Sequence, residues 1–297
     1  MTMPTPLFNP ETAWHAEKGI DTVDMNAVFK RIGGVSEQIT PLSGGLANEN
    51  LRIGHDKVLR IYKRDVTALS RECELLSRSW KQFRVPKVLD RGDDFLVLEY
   101  VSLSPLENSK RSGEVVGIAL AEIHQKTFDS GGLFGEGIAV DEPWSDFLDV
   151  IQRFIWACHD QSSKHAALLS KVIDFVSSRS QQYMESCQTA VLLHGDFKAS
   201  NLHCADDGGL VILDWEFTYA GPAVMDIGQL FRWDQQDPFG VGFAEGYEAG
   251  GGRLAVDWKQ QISWFDLANM VGLLTKSEPG SKREADCAQR IRSVCNC

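Results

Sequence analysis

The chain has 297 residues, 43% hydrophobic and 24% charged, enough length and apolar content to bury a core. It shows neither a secretory leader pattern nor an apolar run of roughly 18 residues, so no signal or membrane span is expected. Net charge is −11, and residues 1–100 are balanced at 14 Lys/Arg against 14 Asp/Glu; the acidic excess beyond them disfavours nucleic acid and favours cationic ligands.

Taken in order, residues 1–35 read as a leader with a short helix, apolar at Val23, Val28, Phe29 and Ile32. Strand patterns follow at 38–42, 49–53 and 58–62, then a helix over 66–80 with Leu69, Leu75, Leu76 and Trp80 at helical spacing. Further strands are expected at 87–89 and 95–100, so residues 36–101 form a small sheet with one helix. Residues 102–106 read as a connector. Helical patterns then dominate, at 113–128, 145–160, 165–186, 222–233, 238–249 and 257–275, and residues 102–297 form a helical unit. The class is α+β, with a cleft between two lobes as the ligand site. Seven scattered cysteines imply free thiols in a reducing cytoplasm, and the closing Cys295-Asn296-Cys297 is expected to fray.

One stretch among the helices differs: VLLHGDFKASNLHCADDGGLVILDWEF, residues 191–217. Its two apolar runs read as buried strands and 206–209 as a turn. Asp196, Asn201 and Asp214 supply the oxygen donors a hard cation such as Mg²⁺ takes. Read as one hairpin, the stretch brings all three side chains to one edge.

His-Gly-Asp-x4-Asn followed by Asp 13 residues later resembles the aminoglycoside phosphotransferase and choline kinase superfamily, from about residue 42 to residue 274. The resemblance implies a bilobal protein-kinase-like fold and transfer of the terminal phosphate of ATP or GTP, with Mg²⁺, to a hydroxyl of a small molecule. The acceptor would be a metabolite or an aminoglycoside-like cation, with no nucleic-acid or membrane partner. Asp196 would orient the hydroxyl, Asn201 and Asp214 would hold the metal, and Lys198 would touch phosphate, its plainer alternative being a solvated loop cation. His194 is expected to hold the loop by hydrogen bonds, and Asp226 to buttress the loop backbone or cap a helix. The loop Ser43-Gly44-Gly45 would approach the phosphates. Arg60 would stand at the strand cation position with Glu72 as its partner and Glu74 as the rival. Glu99 to Val101 would form the hinge that meets the purine edge.

Acceptor contacts are expected from 144–160, 233–237 or 264–266, where acidic and aromatic residues coincide, although aromatics at helical spacing also fit a core. A catalytically silent nucleotide-binding module is the alternative. A two-metal phosphoesterase lacks its Asp-x-His, and a protein kinase lacks its activation segment with Ala-Pro-Glu.

Overall fold

The computed structural model describes residues 5–7, 9–11, 13–14, 38–42, 48–161, 164–233 and 237–296. Five antiparallel strands open the chain: β1 (Ile39–Pro41), β2 (Asn48–Ile53), β3 (Lys57–Tyr62), β4 (Val88–Arg91) and β5 (Phe95–Glu99). They stand in the order β1-β2-β3-β5-β4. β5 is buried along most of its length because both faces are covered. Phe95 and Val97 join Leu51, Leu59 and Ile61 in one small cluster, while Leu96 and Leu98 turn to the other face. There they meet helix α1 (Thr67–Leu76) through Leu69, Leu75 and Leu76. The period of two also sets Arg60 and Tyr62 on the α1 side.

Past the hinge, β6 (Leu103–Pro105) pairs with β11 (Leu202–Ala205), which pairs in turn with β12 (Leu210–Ile212). A further sheet runs β7-β10-β13-β8-β9, built from β7 (Thr127–Phe128), β8 (Gly132–Phe134), β9 (Val140–Pro143), β10 (Ala190–Leu193) and β13 (Tyr219–Gly221). This corrects the expected hairpin. The run before His194 is β10, and it pairs with β7 and β13, never with β12. Only Asn201 and Asp214 flank a single ribbon; Asp196 reaches the site from a different sheet. Val191–Leu193 is apolar enough to be buried in either pairing, so composition could not choose the partner.

Ten α-helices of seven residues or more lie among the described residues, and all but α1 follow the hinge: α2 (Lys110–His124), α3 (Phe147–Gln161), α4 (Ala166–Ser177), α5 (Ser180–Ser186), α6 (Val224–Leu230), α7 (Phe239–Ala249), α8 (Trp258–Phe265), α9 (Leu267–Thr275) and α10 (Lys282–Cys295). The expected helix 113–128 ends at His124, and its last residues enter β7. The patterns 165–186 and 257–275 each hold two helices, broken near Ser178 and at Asp266. Ser281 caps α10 by accepting from Glu284 N, α10 buries Cys287, Ala288 and Ile291, and the last residue of the closing Cys295-Asn296-Cys297 lies outside the described residues. α2 and α7 touch backbone to backbone, for a Cβ on Gly117 would lie 2.3 Å from Phe243 O and one on Gly246 2.1 Å from Glu114 O.

The N-terminal segment lies on the helical lobe. Leu7 N donates to Leu106 O (2.9 Å), Asn108 N to Thr5 O (2.7 Å), and Trp14 Nε1 to Asp286 Oδ2 (2.8 Å). The helix positions Val23, Val28, Phe29 and Ile32 fall outside the described residues, as do Ser43, Gly44, Gly45 and Cys297. No helix among the described residues is long and apolar enough to cross a membrane.

Candidate active site

The loop after β10 is held by main-chain and side-chain bonds before any ligand is considered. Gly195 has φ 81°, and a Cβ there would fall 2.1 Å from Phe217 O, so only glycine fits. Asp226, in the first turn of α6, accepts from His194 N (2.7 Å) and Gly195 N (2.9 Å). Gln229, one turn later on the same helix face, accepts from Phe197 N (2.7 Å) and donates to Gly195 O (2.8 Å). Sequence reasoning missed Gln229, although its i+3 spacing from Asp226 was the available signal. His194 is fully buried; its Nε2 donates to Leu213 O (2.9 Å), which leaves Nδ1 to accept from Asp196 N (3.2 Å). These partners assign the proton to Nε2.

Asn201 Nδ2 donates to Asp196 O (2.8 Å) and Oδ2 (3.1 Å). Its amide oxygen takes no hydrogen bond from a described residue. Leu213 N donates to Asn201 O (3.0 Å), clamping the two ends of the β11–β12 ribbon together. Asp214 follows at φ 69°, a left-handed backbone that aspartate tolerates better than most residues.

Across the cleft, Arg60 is buried and meets three carboxylates. Its Nε lies 3.1 Å from Glu72 Oε2, one Nη contacts Asp214 Oδ1, and Glu216 Oε1 is 3.6 Å away. Glu72 also takes the Tyr62 hydroxyl and Trp215 N (3.3 Å). The rival Glu74 instead pairs with Arg78 (2.8 Å) on an exposed face. Burial would lower the Arg60 pKa, but Glu72 and Asp214 outweigh it and raise it well above the ordinary value. Burial would raise the Asp214 carboxyl, and Arg60 reverses that and lowers it. Burial, with the Asp214 carboxylate beside it, lifts Glu216 to about 7. Asn48 Nδ2 donates to Glu216 Oε2 (2.8 Å), so the residue just after the glycine-rich segment is tied to the segment that carries Asp214. Asn48 closes the loop 42–48 that the resemblance matches, and Glu216 stands in the Trp-Glu pair that departs from the Phe-Gly of protein kinases; neither drew a role of its own from the sequence.

Arg60, Glu72, Glu99, Val101, Asn201 and Asp214 line one cleft of about 330 Å³. At its hinge, Glu99 N and Tyr100 N are committed to Lys87 O (2.9 Å) and Asp56 O (2.7 Å). Asp196 and Lys198 stand at the far side of Asn201, their charged atoms 3.1 Å apart. Lys198 is not a solvated cation: its Nζ also lies 3.1 Å from Glu11 Oε2. Of the expected acceptor segments, Trp264 and Phe265 are core residues and Asp266 is spent on Arg232. Residues 234–236 lie outside the described residues. No group of three His, Cys, Asp or Glu converges as a metal site among the described residues. Mg²⁺ asks less of the protein: one or two carboxylates suffice where waters and phosphates complete the shell. The residues fit it, because an amide oxygen and an Asp214 oxygen without described hydrogen-bond partners border a cleft where three carboxylates surround one buried arginine.

A family model described as the phosphotransferase enzyme family matches residues 38–260. No curated protein sequence matches the chain. Among solved structures, a thermostable mutant of aminoglycoside phosphotransferase APH(4)-Ia in a ternary complex with ADP and hygromycin B aligns at TM-score 0.67. It is 17% identical, and the match covers 93% of this chain and 98% of that one. Macrolide 2'-phosphotransferase MphH from Brachybacterium faecium aligns at 0.65 and 16% identity, over 91% and 98%. A choline/ethanolamine kinase family protein from Mesorhizobium loti aligns at 0.63 and 15%, over 95% and 92%. At these identities the likeness is one of fold, and that fold is the bilobal protein-kinase-like one.

Proposed function

Because the chain belongs to the phosphotransferase enzyme family, we propose that it moves the terminal phosphate of ATP or GTP to a hydroxyl of a small molecule. The observation that carries the reading is the convergence of Arg60, Asn201 and Asp214 on one cleft, with Asp196 one hydrogen bond beyond Asn201. In this reading residues 36–101 bind nucleotide and 102–297 carry the catalytic loop and acceptor site. The Val101 N–H meets the base, since the Glu99 and Tyr100 N–H groups are already engaged. Ser43, Gly44 and Gly45 offer main-chain N–H groups to the phosphates. Arg60, fixed by Glu72, pairs with phosphate oxygens.

Asn201 and Asp214 would hold Mg²⁺, which when bound would offset the charge of the phosphates. Asp196 accepts the hydrogen of the acceptor hydroxyl and aims its oxygen at the phosphorus. Asn201 Nδ2 steers that carboxylate, and Lys198 pairs with it at 3.1 Å and stands ready for the transferring group. The acceptor is a hydroxylated metabolite or an aminoglycoside-like cation, the latter in keeping with the acidic second part of the chain and with the substrate bound in the APH(4)-Ia complex.

The test is a transfer screen with ATP and GTP against aminoglycosides, amino alcohols, amino acids and sugars, run on the wild type and Asp196→Asn. Asp196→Asn is expected to lower kcat by at least about a hundredfold with nucleotide affinity kept, because the residue serves the transition state. Nucleotide binding without transfer to any acceptor by the wild type would replace this reading with a silent nucleotide-binding module.

A further inference from the structure

One buried carboxylate beside the catalytic loop has no part in the reaction as described. Glu11 is 3% exposed. Its Oε2 stands 3.1 Å from Lys198 Nζ, and its Oε1 accepts from Arg232 Nη1 (2.8 Å) and Trp233 Nε1 (3.0 Å). Arg232 in turn forks onto Asp266 at 2.7 and 2.9 Å. Charges therefore alternate along Asp266, Arg232, Glu11, Lys198 and Asp196, and the row ends at the residue given the acceptor hydroxyl. The backbone delivers Glu11 from both sides: Leu7 is pinned to Leu106, and the Trp14 ring stands edge-on to Trp233 at 5.8 Å.

Pairing alone does not require Glu11. Without it, Lys198 still has Asp196 and Arg232 still has Asp266. What Glu11 adds is a second anchor for an ammonium on a four-carbon stem that one carboxylate would leave free to rotate. Burial would lower the Lys198 pKa, but Asp196 and Glu11 outweigh it and raise it above the ordinary value.

We propose that Glu11 is a positioning residue for phosphoryl transfer: it fixes the Lys198 ammonium against Asp196, so that the N-terminal segment completes the catalytic loop. The proposal rests on the phosphotransferase reading above.

A double-mutant cycle of Glu11→Gln and Lys198→Ala tests it, read as ADP release from Mg²⁺-ATP with kanamycin, ethanolamine or water as acceptor. Glu11→Gln is expected to lower kcat about tenfold with the KM for Mg²⁺-ATP unchanged, and to have no further effect once Lys198 is alanine. Equal losses in both backgrounds, a change in KM alone, or no loss would overturn it. Acetic anhydride labelling of Lys198, read by mass spectrometry, should quicken several-fold in Glu11→Gln while exposed Lys259 labels as before; an unchanged Lys198 rate would also overturn it. Should Glu11→Gln fail to fold, Glu11→Asp keeps the charge at shorter reach and should lose less in kcat, again only when Lys198 is present. A wild type that transfers phosphate to nothing ends the phosphotransferase reading and this role with it. An active wild type with an additive cycle removes Glu11 alone.

Discussion

Arg60 is a buried cation that three carboxylates share, those of Glu72, Asp214 and Glu216. Arg60→Met would leave those carboxylates around an apolar side chain, and breaking a buried pair from one side costs about 3–5 kcal/mol. Urea unfolding without nucleotide should show a loss of that size, and Arg60→Lys should recover only part, because an ammonium cannot reach three carboxylates in one plane. Glu11 gives a prediction in pH. Burial would raise its carboxyl, yet Arg232 and Lys198 hold it at about 2 against an ordinary 4.5. The folded value lies below the unfolded one, so the carboxylate contributes stability above pH 4.5 that is lost as pH falls toward 2, on the order of 3 kcal/mol. Unfolding titrations should show the gap between wild type and Glu11→Gln closing across that window. Asp196, Asn201 and Asp214 were legible because their spacing is local. Glu11 was not, since its Arg232 partner is 221 residues away and nothing in residues 1–35 marks a carboxylate bound for the loop after β10.

Elements were legible in proportion to their length and periodicity. The strands of the first sheet and α1 carry apolar residues at clear periods, and the structure sets them within a few residues of the expected bounds. β6 to β9 and β13 run only two to four residues, too short for an alternation to register. β6 forms on the edge of β11, and β7 and β13 on the two edges of β10, each of these partners four residues long. α10 escaped notice because its buried face is narrow within a strongly polar stretch. The α2–α7 contact was readable in retrospect from Gly113, Gly117, Gly242 and Gly246, paired at spacings of four on one face of each helix. Gly117→Ala or Gly246→Ala would press a methyl into the facing main chain. Each should destabilise by about 1–3 kcal/mol in denaturant unfolding, whereas Gly208→Ala, with open space around its Cβ position, should cost only the strain of its φ of 83°.

For the molecule as a whole, the cleft joins residues from the first sheet, the hinge and the β11–β12 ribbon. A ligand seated there bridges both lobes and binds only the folded chain. Mg²⁺-ADP at a hundred times its Kd should therefore stabilise by about 2.7 kcal/mol, read as a rise in Tm of several degrees. EDTA should shrink that rise in the wild type and change little in Asp214→Asn. A second tie between the lobes needs no ligand. Trp80 and Phe83, just beyond α1, stack with Trp215, the ring centroids 5.5 and 6.0 Å from it. Trp215 follows Asp214 directly, and its own N–H reaches back to Glu72 on α1. To swing outward, α1 would have to pull three aromatic rings apart and strand the arginine's counter-ion in the same movement. Those rings therefore act as a latch that keeps Glu72 beside Arg60 and Asp214.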